Sequence, residues 1–320
     1  DLWEWNGTAW TNLTPGTLPP SWPSLSSEIE MVYDSVRNVV VMFGGSEQNE
    51  TWEYNPTSNE WTQRVSSLNR VSYAMAFDQA RGVTVMHGGD ALVLRGDTLT
   101  FNGAAWTNVT PSGAPGGRRW TQTAYDGLRG KVVMFGGIIN GTGGAIVNDT
   151  WEWDGVQWAG RVTTPAPGPR MNGMMAYDFK RGKTVLFGGS NVASLNDTWE
   201  WDGSKWTQLT PTTSPPARFA GGMVYDRVRG VVLLFGGRNA ANQQFNDTWE
   251  LSFNAGVSTW TQRTPATSPP VRTGFAMAYD AKRDRTMLTG GKSGFGFPND
   301  NWEWNGTTWT AVGVGVAAGT

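Results

Sequence analysis

Short apolar runs that end in two glycines dominate the hydrophobic pattern of the chain. Six such runs, rich in β-branched residues, end at the Gly-Gly pairs 44–45, 88–89, 136–137, 188–189, 236–237 and 290–291. Upstream of each run lies Tyr-Asp or Phe-Asp, and an Arg follows the Asp by three residues, as in Asp126 and Arg129. Because Asp caps tight turns and the Gly that usually follows the Arg accepts a positive φ, this pattern predicts a hairpin. Each period therefore opens with two strands, a and b.

A repeated Trp-Glu-Trp sequence supplies the second half of each period. It stands as DTWEWDG at 149–155 and 197–203, DNWEWNG at 300–306 and DLWEWNG at 1–7, with the variants ETWEYNP at 50–56 and DTWELSF at 247–253. Alternation with a period of two residues places both aromatic side chains on one face of a strand. A turn and a further Trp follow, which predicts strands c and d. Four strands in about 50 residues, without helical periodicity, indicate a β-propeller.

The same motifs carry a family resemblance that covers nearly the whole chain. An apolar run with Gly-Gly, then Asn-Asp-x-Trp, then a lone Trp, with Pro-x-Arg opening the next unit, resembles the kelch repeat. The resemblance implies an all-β, kelch-type β-propeller of four-stranded antiparallel blades. One copy departs from the pattern, because GDTLTFNGAAW at 96–106 has Leu99 and Phe101 where the others have Trp. That blade is expected to form with looser packing.

The number of blades does not follow directly from the count of motifs. The chain holds six a–b pairs but seven c–d pairs, and the extra pair lies in residues 1–14. A seven-bladed propeller is favoured, with strands a and b of one blade outside this segment, and a six-bladed ring is the alternative. Either way the sequence predicts one domain over 1–320, with a half blade at 1–14 and repeats near 28–66, 70–110, 118–163, 170–210, 218–264 and 272–312.

The repeated tryptophans are interpreted as packing residues between blades. A blade widens away from the ring axis, and large flat side chains fill that wedge. Trp153, Trp201 and Trp304 are therefore expected to be buried, and uniform repetition favours this role over that of sugar-stacking platforms. Trp22 and Trp120 lie outside the repeat positions and are the better candidates for contact with a ligand.

Composition narrows the range of functions. The 320 residues have a net charge of −2, no Cys, one His and no apolar stretch long enough to span a bilayer. These facts argue against nucleic-acid binding through bulk charge and against thiolate chemistry, and they lead us to expect neither a metal nor a cofactor. Copper-radical oxidases, which the resemblance would allow, need a Cys-linked Tyr, so the absence of Cys excludes them.

His87 replaces the Phe that precedes most Gly-Gly pairs and is a candidate ligand contact. The favoured interpretation is a structural His that forms a hydrogen bond with a backbone carbonyl.

Arginines recur eight residues before the Tyr-Asp or Phe-Asp of five units, with Ser26 in the first unit. These are Arg70, Arg118, Arg170, Arg218 and Arg272. Each is expected to open an innermost strand, so that the five guanidinium groups form a ring at one mouth of the channel. Pairing with acidic or carbonyl groups is favoured for most of them. Any guanidinium group that is not paired in this way would be suited to bind the carboxylate of a ligand, because a planar guanidinium binds a carboxylate through two hydrogen bonds.

The predicted function is that of a non-catalytic extracellular binding module. Its ligand is expected to be a protein or a glycan, with an anionic one favoured, held at the channel mouth. No catalytic residue is assigned. The alternative is a small-molecule enzyme, such as a sugar epimerase or lyase, that uses Arg and acidic residues at that mouth. The lack of Cys and the abundance of Thr, Asn and Gly favour a bacterial secreted or cell-surface location.

Overall fold

The computed structural model describes an all-β chain of 28 strands. The described residues are 3–5, 10–12, 29–44, 50–58, 60–64, 68–91, 93–139, 144–294, 296–298 and 300–314. Twenty-four of the strands form six antiparallel sheets of four, and each sheet is one blade. None of the described residues forms a helix of the length and apolarity that a membrane crossing requires.

Blades 1 to 3 occupy the first half of the ring. In each, strands a, b, c and d follow one another in space as in sequence, apart from a short strand pair in blade 3. Blade 1 consists of β3 (Ile29–Asp34), β4 (Val39–Gly44), β5 (Thr51–Asn55) and β6 (Glu60–Arg64). Blade 2 consists of β7 (Ala74–Asp78), β8 (Val83–His87), β9 (Thr98–Phe101) and β10 (Trp106–Asn108). Blade 3 consists of β12 (Gln122–Asp126), β13 (Lys131–Phe135), β15 (Thr150–Trp153) and β16 (Trp158–Arg161), with β11 (Arg118–Arg119) paired to β14 (Ile138–Ile139) beside it.

Blades 4 to 6 repeat the arrangement without interruption. Blade 4 consists of β17 (Met174–Asp178), β18 (Lys183–Asn191), β19 (Ala193–Trp201) and β20 (Trp206–Leu209). Blade 5 consists of β21 (Gly222–Asp226), β22 (Val231–Phe235), β23 (Thr248–Asn254) and β24 (Val257–Arg263). Blade 6 consists of β25 (Ala276–Asp280), β26 (Arg285–Thr289), β27 (Asp300–Trp304) and β28 (Trp309–Val314).

Six blades close the ring. The innermost strands contact one another in the order β3, β7, β12, β17, β21 and β25, and β25 returns to contact β3. Ala276 and Ala278 of blade 6 share one apolar cluster with Ile29 and Met31 of blade 1. The favoured expectation of seven blades is therefore not confirmed, and the six-bladed alternative fits. The surplus c–d pair forms a separate two-stranded sheet, β1 (Trp3–Trp5) with β2 (Trp10–Asn12).

The Gly-Gly pairs allow each blade to approach the next closely. The N–H of the second glycine donates to the carbonyl of the next blade's Arg over 2.8–2.9 Å in four blades, beginning with Gly89 and Arg118. A Cβ at the first glycine, Gly88, would lie 2.6 Å from the carbonyl oxygen of Arg118, and its φ is +76°. Glycine is needed there because any side chain would separate the two backbones.

The Glu of Trp-Glu-Trp has a structural partner of its own. In blade 3, Asp126 caps the a–b hairpin and accepts a hydrogen bond from Nε of Arg129 at 2.6 Å. The same Arg also pairs with the buried Glu152, which in turn accepts from Arg161 at 2.9 Å. In five of the six blades the Arg that follows the hairpin Asp thus joins strand a to strand c. Blade 2 lacks this Glu, and its Arg81 instead donates to the carbonyl of Gly130 in blade 3.

The tryptophans lie between blades, as the sequence predicts. Trp153, Trp201 and Trp304 are 1%, 0% and 1% exposed, respectively. The strand-d Trp of a blade contacts the residue before Gly-Gly in the preceding blade and donates its indole N–H to a strand-c Thr there. Trp206, for example, lies 5.2 Å from Phe135 and donates to Thr150 at 2.9 Å.

Blade 2 forms despite its departure from the repeat. Leu99 is 4% exposed, Phe101 is fully buried, and both belong to the cluster shared with blade 1. All four strands of the blade pair in register. Smaller apolar side chains therefore suffice at this position for the blade to form.

Replacing Trp201 with Ala is expected to lower the free energy of unfolding by about 3–5 kcal/mol. The substitution leaves a cavity in the cluster between blades 3 and 4 and removes the hydrogen bond from the indole to Glu152 at 3.0 Å. Urea unfolding measures the change. Val162→Ala serves as control, since Val162 is fully exposed. A loss below about 1 kcal/mol for Trp201→Ala would contradict an inter-blade packing role.

Candidate binding site at the channel mouth

The two sides of the ring differ in what they present. One side carries the links between strands b and c and the links between blades, and we call it the loop face. The other carries the a–b hairpins and the c–d turns, and we call it the hairpin face. On the loop face the central channel opens into a cavity of about 320 Å³. Its walls come mainly from the residues just before and at the start of the innermost strands, including 72, 73, 75, 120–123, 172–175, 220–223 and 273–277.

A chain of backbone hydrogen bonds stiffens the rim of this cavity. Two positions before each of five inner strands lies a residue with a positive φ, between 51° and 62°. These residues are Ser72, Trp120, Asn172, Ala220 and Gly274. The N–H of each of the last four donates to the carbonyl of its counterpart in the preceding blade over 2.9–3.0 Å. A bulky side chain rarely adopts this conformation. The rim therefore holds Trp120 in a position where blades 2, 4, 5 and 6 carry small residues or Asn.

The five predicted arginines are all paired inside the protein. Each is at most 5% exposed and binds the two carboxylate oxygens of an Asp in its own blade over 2.5–3.0 Å. The pairs are Arg70–Asp97, Arg118–Asp149, Arg170–Asp197, Arg218–Asp247 and Arg272–Asp300. Each guanidinium also donates to the carbonyl of the first glycine of Gly-Gly. The favoured pairing is thus found in every one of the five.

Their position corrects one detail of the sequence-based expectation. The arginines do not open the innermost strands but lie four residues before them, as Arg170 does before Met174. They sit beneath the rim rather than at the channel surface, because a partly exposed carboxylate draws each buried Arg side chain into its own blade. A ligand would have to displace that carboxylate to reach any of these guanidinium groups. Ser26, the counterpart in the first unit, lies outside the described residues.

The pairing shifts the acidity of the aspartates. Burial by itself would raise the pKa of Asp197, but the hydrogen bonds and charge of Arg170 and the indole N–H of Trp199 together hold it below its usual value. The pKa values of Asp97, Asp149 and Asp300 are lowered in the same way by their own Arg partners. These carboxylates therefore stay ionised at neutral pH and act as structural clamps.

Trp120 is the one predicted ligand contact that reaches the cavity. It is half-buried and lines the wall, and the guanidinium of Arg119 lies 4.2 Å from its ring centroid. Asp90 holds that guanidinium at 2.8 Å. The Asp–Arg–Trp stack fixes the indole plane, so the ring is preorganised as a stacking surface. Trp22 lies outside the described residues.

Two cationic side chains at the same cavity were missed by sequence reasoning. Arg238 and Lys292 line the mouth and also an adjoining groove of about 460 Å³ with Asn242, Gln244 and Gly294. Neither forms an ion pair within the described part of the chain. The guanidinium of Arg238 lies 5.0 Å from the ring centroid of Phe219 and donates to Asn242 at 3.2 Å.

A positional signal in the sequence could have found this pair. Both residues directly follow Gly-Gly, and the other four blades carry Ser, Asp, Ile and Ser at that place. The cations stand in neighbouring blades 5 and 6, where Gln244 joins the two loops. It donates to the carbonyl of Lys292 at 3.1 Å and accepts from the N–H of Gly294 at 2.8 Å. The two positive charges are therefore held on one stretch of the rim.

His87 is placed between blades and does not line the cavity. It is 1% exposed, lies 5.1 Å from Trp158, and its Nδ1 is 3.0 Å from the hydroxyl of Thr98. The imidazole thus takes the place of the Phe of other blades and contacts a threonine hydroxyl, not the backbone carbonyl that was expected. Burial first, then the charge of Arg118, lowers the pKa of His87 to about 3, so the ring is neutral.

Comparisons with known proteins leave the family open. No protein-family model and no curated protein matches the chain. The likeness to kelch proteins therefore rests on the repeat itself. Among the described residues no group of three His, Asp or Glu is arranged to hold a metal ion.

Breaking one buried clamp is expected to destabilise the ring. Arg170→Met leaves Asp197 without its main partner and should lower the free energy of unfolding at pH 7 by about 3–5 kcal/mol. Because the pKa of Asp197 is lower in the folded than in the unfolded state, the pair contributes fully above about pH 4 and its contribution is lost as the pH falls further. The variant should therefore lose less stability than the wild type upon acidification.

Urea unfolding at a series of pH values measures both effects. Arg161→Met is the matched control, since Arg161 is more exposed and shares Glu152 with Arg129. That control should cost about 1 kcal/mol or less. Equal losses for the two variants, or an unchanged pH dependence for Arg170→Met, would show that the clamp contributes no more than a surface ion pair.

Proposed function

We propose that the protein is a non-catalytic binding module whose loop-face cavity holds an anionic glycan. The observation that carries this proposal is the combination of the Trp120 ring with Arg238 and Lys292 around one cavity at the channel mouth. Within the described residues no carboxylate is paired with either cation. A cavity of about 320 Å³ is at the lower end of the range for small-ligand sites, enough for a sugar unit or two.

Each part of the cavity suits a part of an acidic sugar. An indole ring packs against the C–H face of a pyranose, and the amide and hydroxyl groups of Gln122, Asn172 and Thr273 lie along the wall where sugar hydroxyls need partners. A guanidinium binds a carboxylate through two parallel hydrogen bonds, and an ammonium adds a point charge beside it. Because blade 3 and blades 5 and 6 lie on different sides of the channel, a ligand that spans it contacts both kinds of group.

The enzyme alternative uses the same cavity. Its titratable lining residues are Glu30, Tyr73, Arg238 and Lys292. Glu30 would then act as a base on a sugar whose carboxylate is bound by the cations. Turnover of the ligand, followed by NMR of the sugar, distinguishes this alternative from simple binding.

An extracellular setting belongs to the proposal. Its support is the sequence, which lacks Cys and is rich in Thr, Asn and Gly. Fractionation of the source cells, with immunodetection of the protein in the medium and on the surface, tests this part independently of the ligand.

Binding of oligogalacturonate, an anionic glycan probe, should require all three lining groups. We expect Arg238→Gln, Lys292→Gln and Trp120→Ala each to weaken the affinity about five- to tenfold in calorimetric titrations. Raising the salt concentration should weaken wild-type binding as well, because the charges are partly exposed. Lys205→Gln, an exposed lysine on the hairpin face, is the matched control and should leave the affinity unchanged.

Three results would overturn parts of the proposal. Absence of binding, or binding that none of the three substitutions affects, would remove the cavity as the glycan site. Binding of polyglutamate in place of the glycan would change the ligand class to an acidic peptide. Equal affinity for a neutral cello-oligosaccharide would remove the role of the two cations.

A further inference from the structure

The hairpin face presents most of the exposed apolar side chains of the described residues. Nine large hydrophobic residues are exposed among the described residues as a whole. Six of these nine lie in a–b hairpins or at c–d turns. These six, between 37% and 80% exposed, are Val36, Leu128, Val156, Phe179, Val228 and Val257. Exposed apolar side chains gathered on one face mark interaction surfaces more often than scattered ones do. This face is separate from the cavity proposed to bind a glycan.

The charges of the inner hairpins are unbalanced. The two residues after each hairpin Asp form the tip, and the six tips together hold Lys180, Arg227 and Lys282 but no acidic residue. The hairpin aspartates do not neutralise these cations, because each is buried and paired with the Arg three residues after it. The one acid that follows the tips is Asp284 of the blade 6 hairpin, which accepts a hydrogen bond from the hydroxyl of Tyr279 at 2.7 Å. The tips themselves therefore surround this end of the channel with apolar and cationic side chains.

Arg227 reaches across the opening of the channel. Its guanidinium lies 3.6 Å from the ring centroid of Phe179 in blade 4, and its Nη2 lies 3.4 Å from Oε1 of Gln79 in blade 2. Blade 2 lies opposite blade 5 in a ring of six, so the side chain spans the opening. Within the described residues it forms no ion pair. Burial lowers the pKa of Arg227, and interaction with the hydroxyls of Tyr279, Tyr225 and Tyr33 acts in the opposite direction.

The position of the Phe179 ring beneath Arg227 depends on a glycine in the neighbouring blade. Phe179 lies 4.8 Å from Tyr177, and its Cε1 would be 2.5 Å from a Cβ placed on Gly127 of blade 3. Only glycine at 127 leaves room for the ring to lean over the neighbouring blade. The ring in turn holds the planar guanidinium in one orientation, which lowers the entropic cost of binding a carboxylate.

We propose that the hairpin face is a docking surface for a protein segment that presents a carboxylate flanked by apolar side chains. The carboxylate binds Arg227 at the channel opening, and the apolar side chains pack on Leu128, Phe179 and Val228. Charge complementarity selects this occupant, since the tips carry three cations and no acid. A second copy of this chain would bring like charges together. A flat anionic bilayer would meet Lys180 and Lys282 but would place no group in the opening.

A positional peptide pool provides the test. The probes are immobilised nine-residue peptides with a central Glu and flanking positions drawn from Leu, Ile, Val, Phe and Ser, and a matched pool with a central Gln. The wild-type protein should prefer the Glu pool, and Arg227→Gln should weaken that binding about tenfold or more. Leu128→Ser should weaken binding to both pools, because it removes apolar contact area.

Controls separate this face from the cavity. Arg238→Gln should bind the peptide pool as the wild type does, and Arg227→Gln should bind oligogalacturonate as the wild type does. Arg227 forms no ion pair within the described residues, so we expect its substitution to leave the Tm unchanged. A failed glycan experiment thus leaves this inference standing, and the reverse also holds.

Four outcomes would overturn the inference. The first is equal binding of the Glu and Gln pools, and the second is binding that Arg227→Gln does not weaken. The third is binding to phosphatidylserine vesicles without binding to peptides, which would identify a membrane surface. The last is concentration-dependent self-association that Arg227→Gln abolishes, which would identify a second copy as the occupant.

Discussion

The buried Arg–Asp pair is the interaction on which the rest of the ring depends. Arg170 shows its three connections. Its guanidinium binds both oxygens of Asp197 in strand c, and it also binds the carbonyl of Gly188 in strand b. Its own carbonyl accepts the N–H of Gly137 from the preceding blade. One residue therefore fixes the entry to a blade, the link between two of its strands and the contact to its neighbour.

The geometry of the channel mouth depends on that Arg–Asp pair. The rim residue with a positive φ comes two positions after the Arg, so Asn172 follows Arg170 and Trp120 follows Arg118. A residue held by a bidentate ion pair on one side and by an inner strand on the other has little freedom to relax. The sequence-based hypothesis favoured pairing for most of the arginines and offered any that remained unpaired as ligand groups. The structure makes them positioning groups instead, which hold the residues that face the cavity.

Repeated local patterns made much of the fold predictable. The hairpins, the strand pairs and the burial of Trp153, Trp201 and Trp304 all follow from motifs within one period. The number of blades does not, because closure depends on whether β25 packs against β3, and that contact joins parts of the chain about 250 residues apart. The pairing of the arginines was predictable in kind. That all five would be paired was not predictable, because this depends on the distance between each Arg and its Asp, which belong to different segments of a blade.

The candidate sites were harder to predict because they depend on departures from the repeat. Trp120 stands where other blades have Glu, Ser, Asn, Ala or Gly, and Arg238 and Lys292 stand where others have Ser, Asp or Ile. Arg227 stands where others have Ser, Gln, Gly, Phe or Ala. A residue that recurs in every blade is constrained by contacts that recur in every blade. A residue found in one blade only is free of that constraint. Arg227, Arg238 and Lys292, which form no ion pair among the residues that the structure describes, stand at such positions on the two faces of the ring.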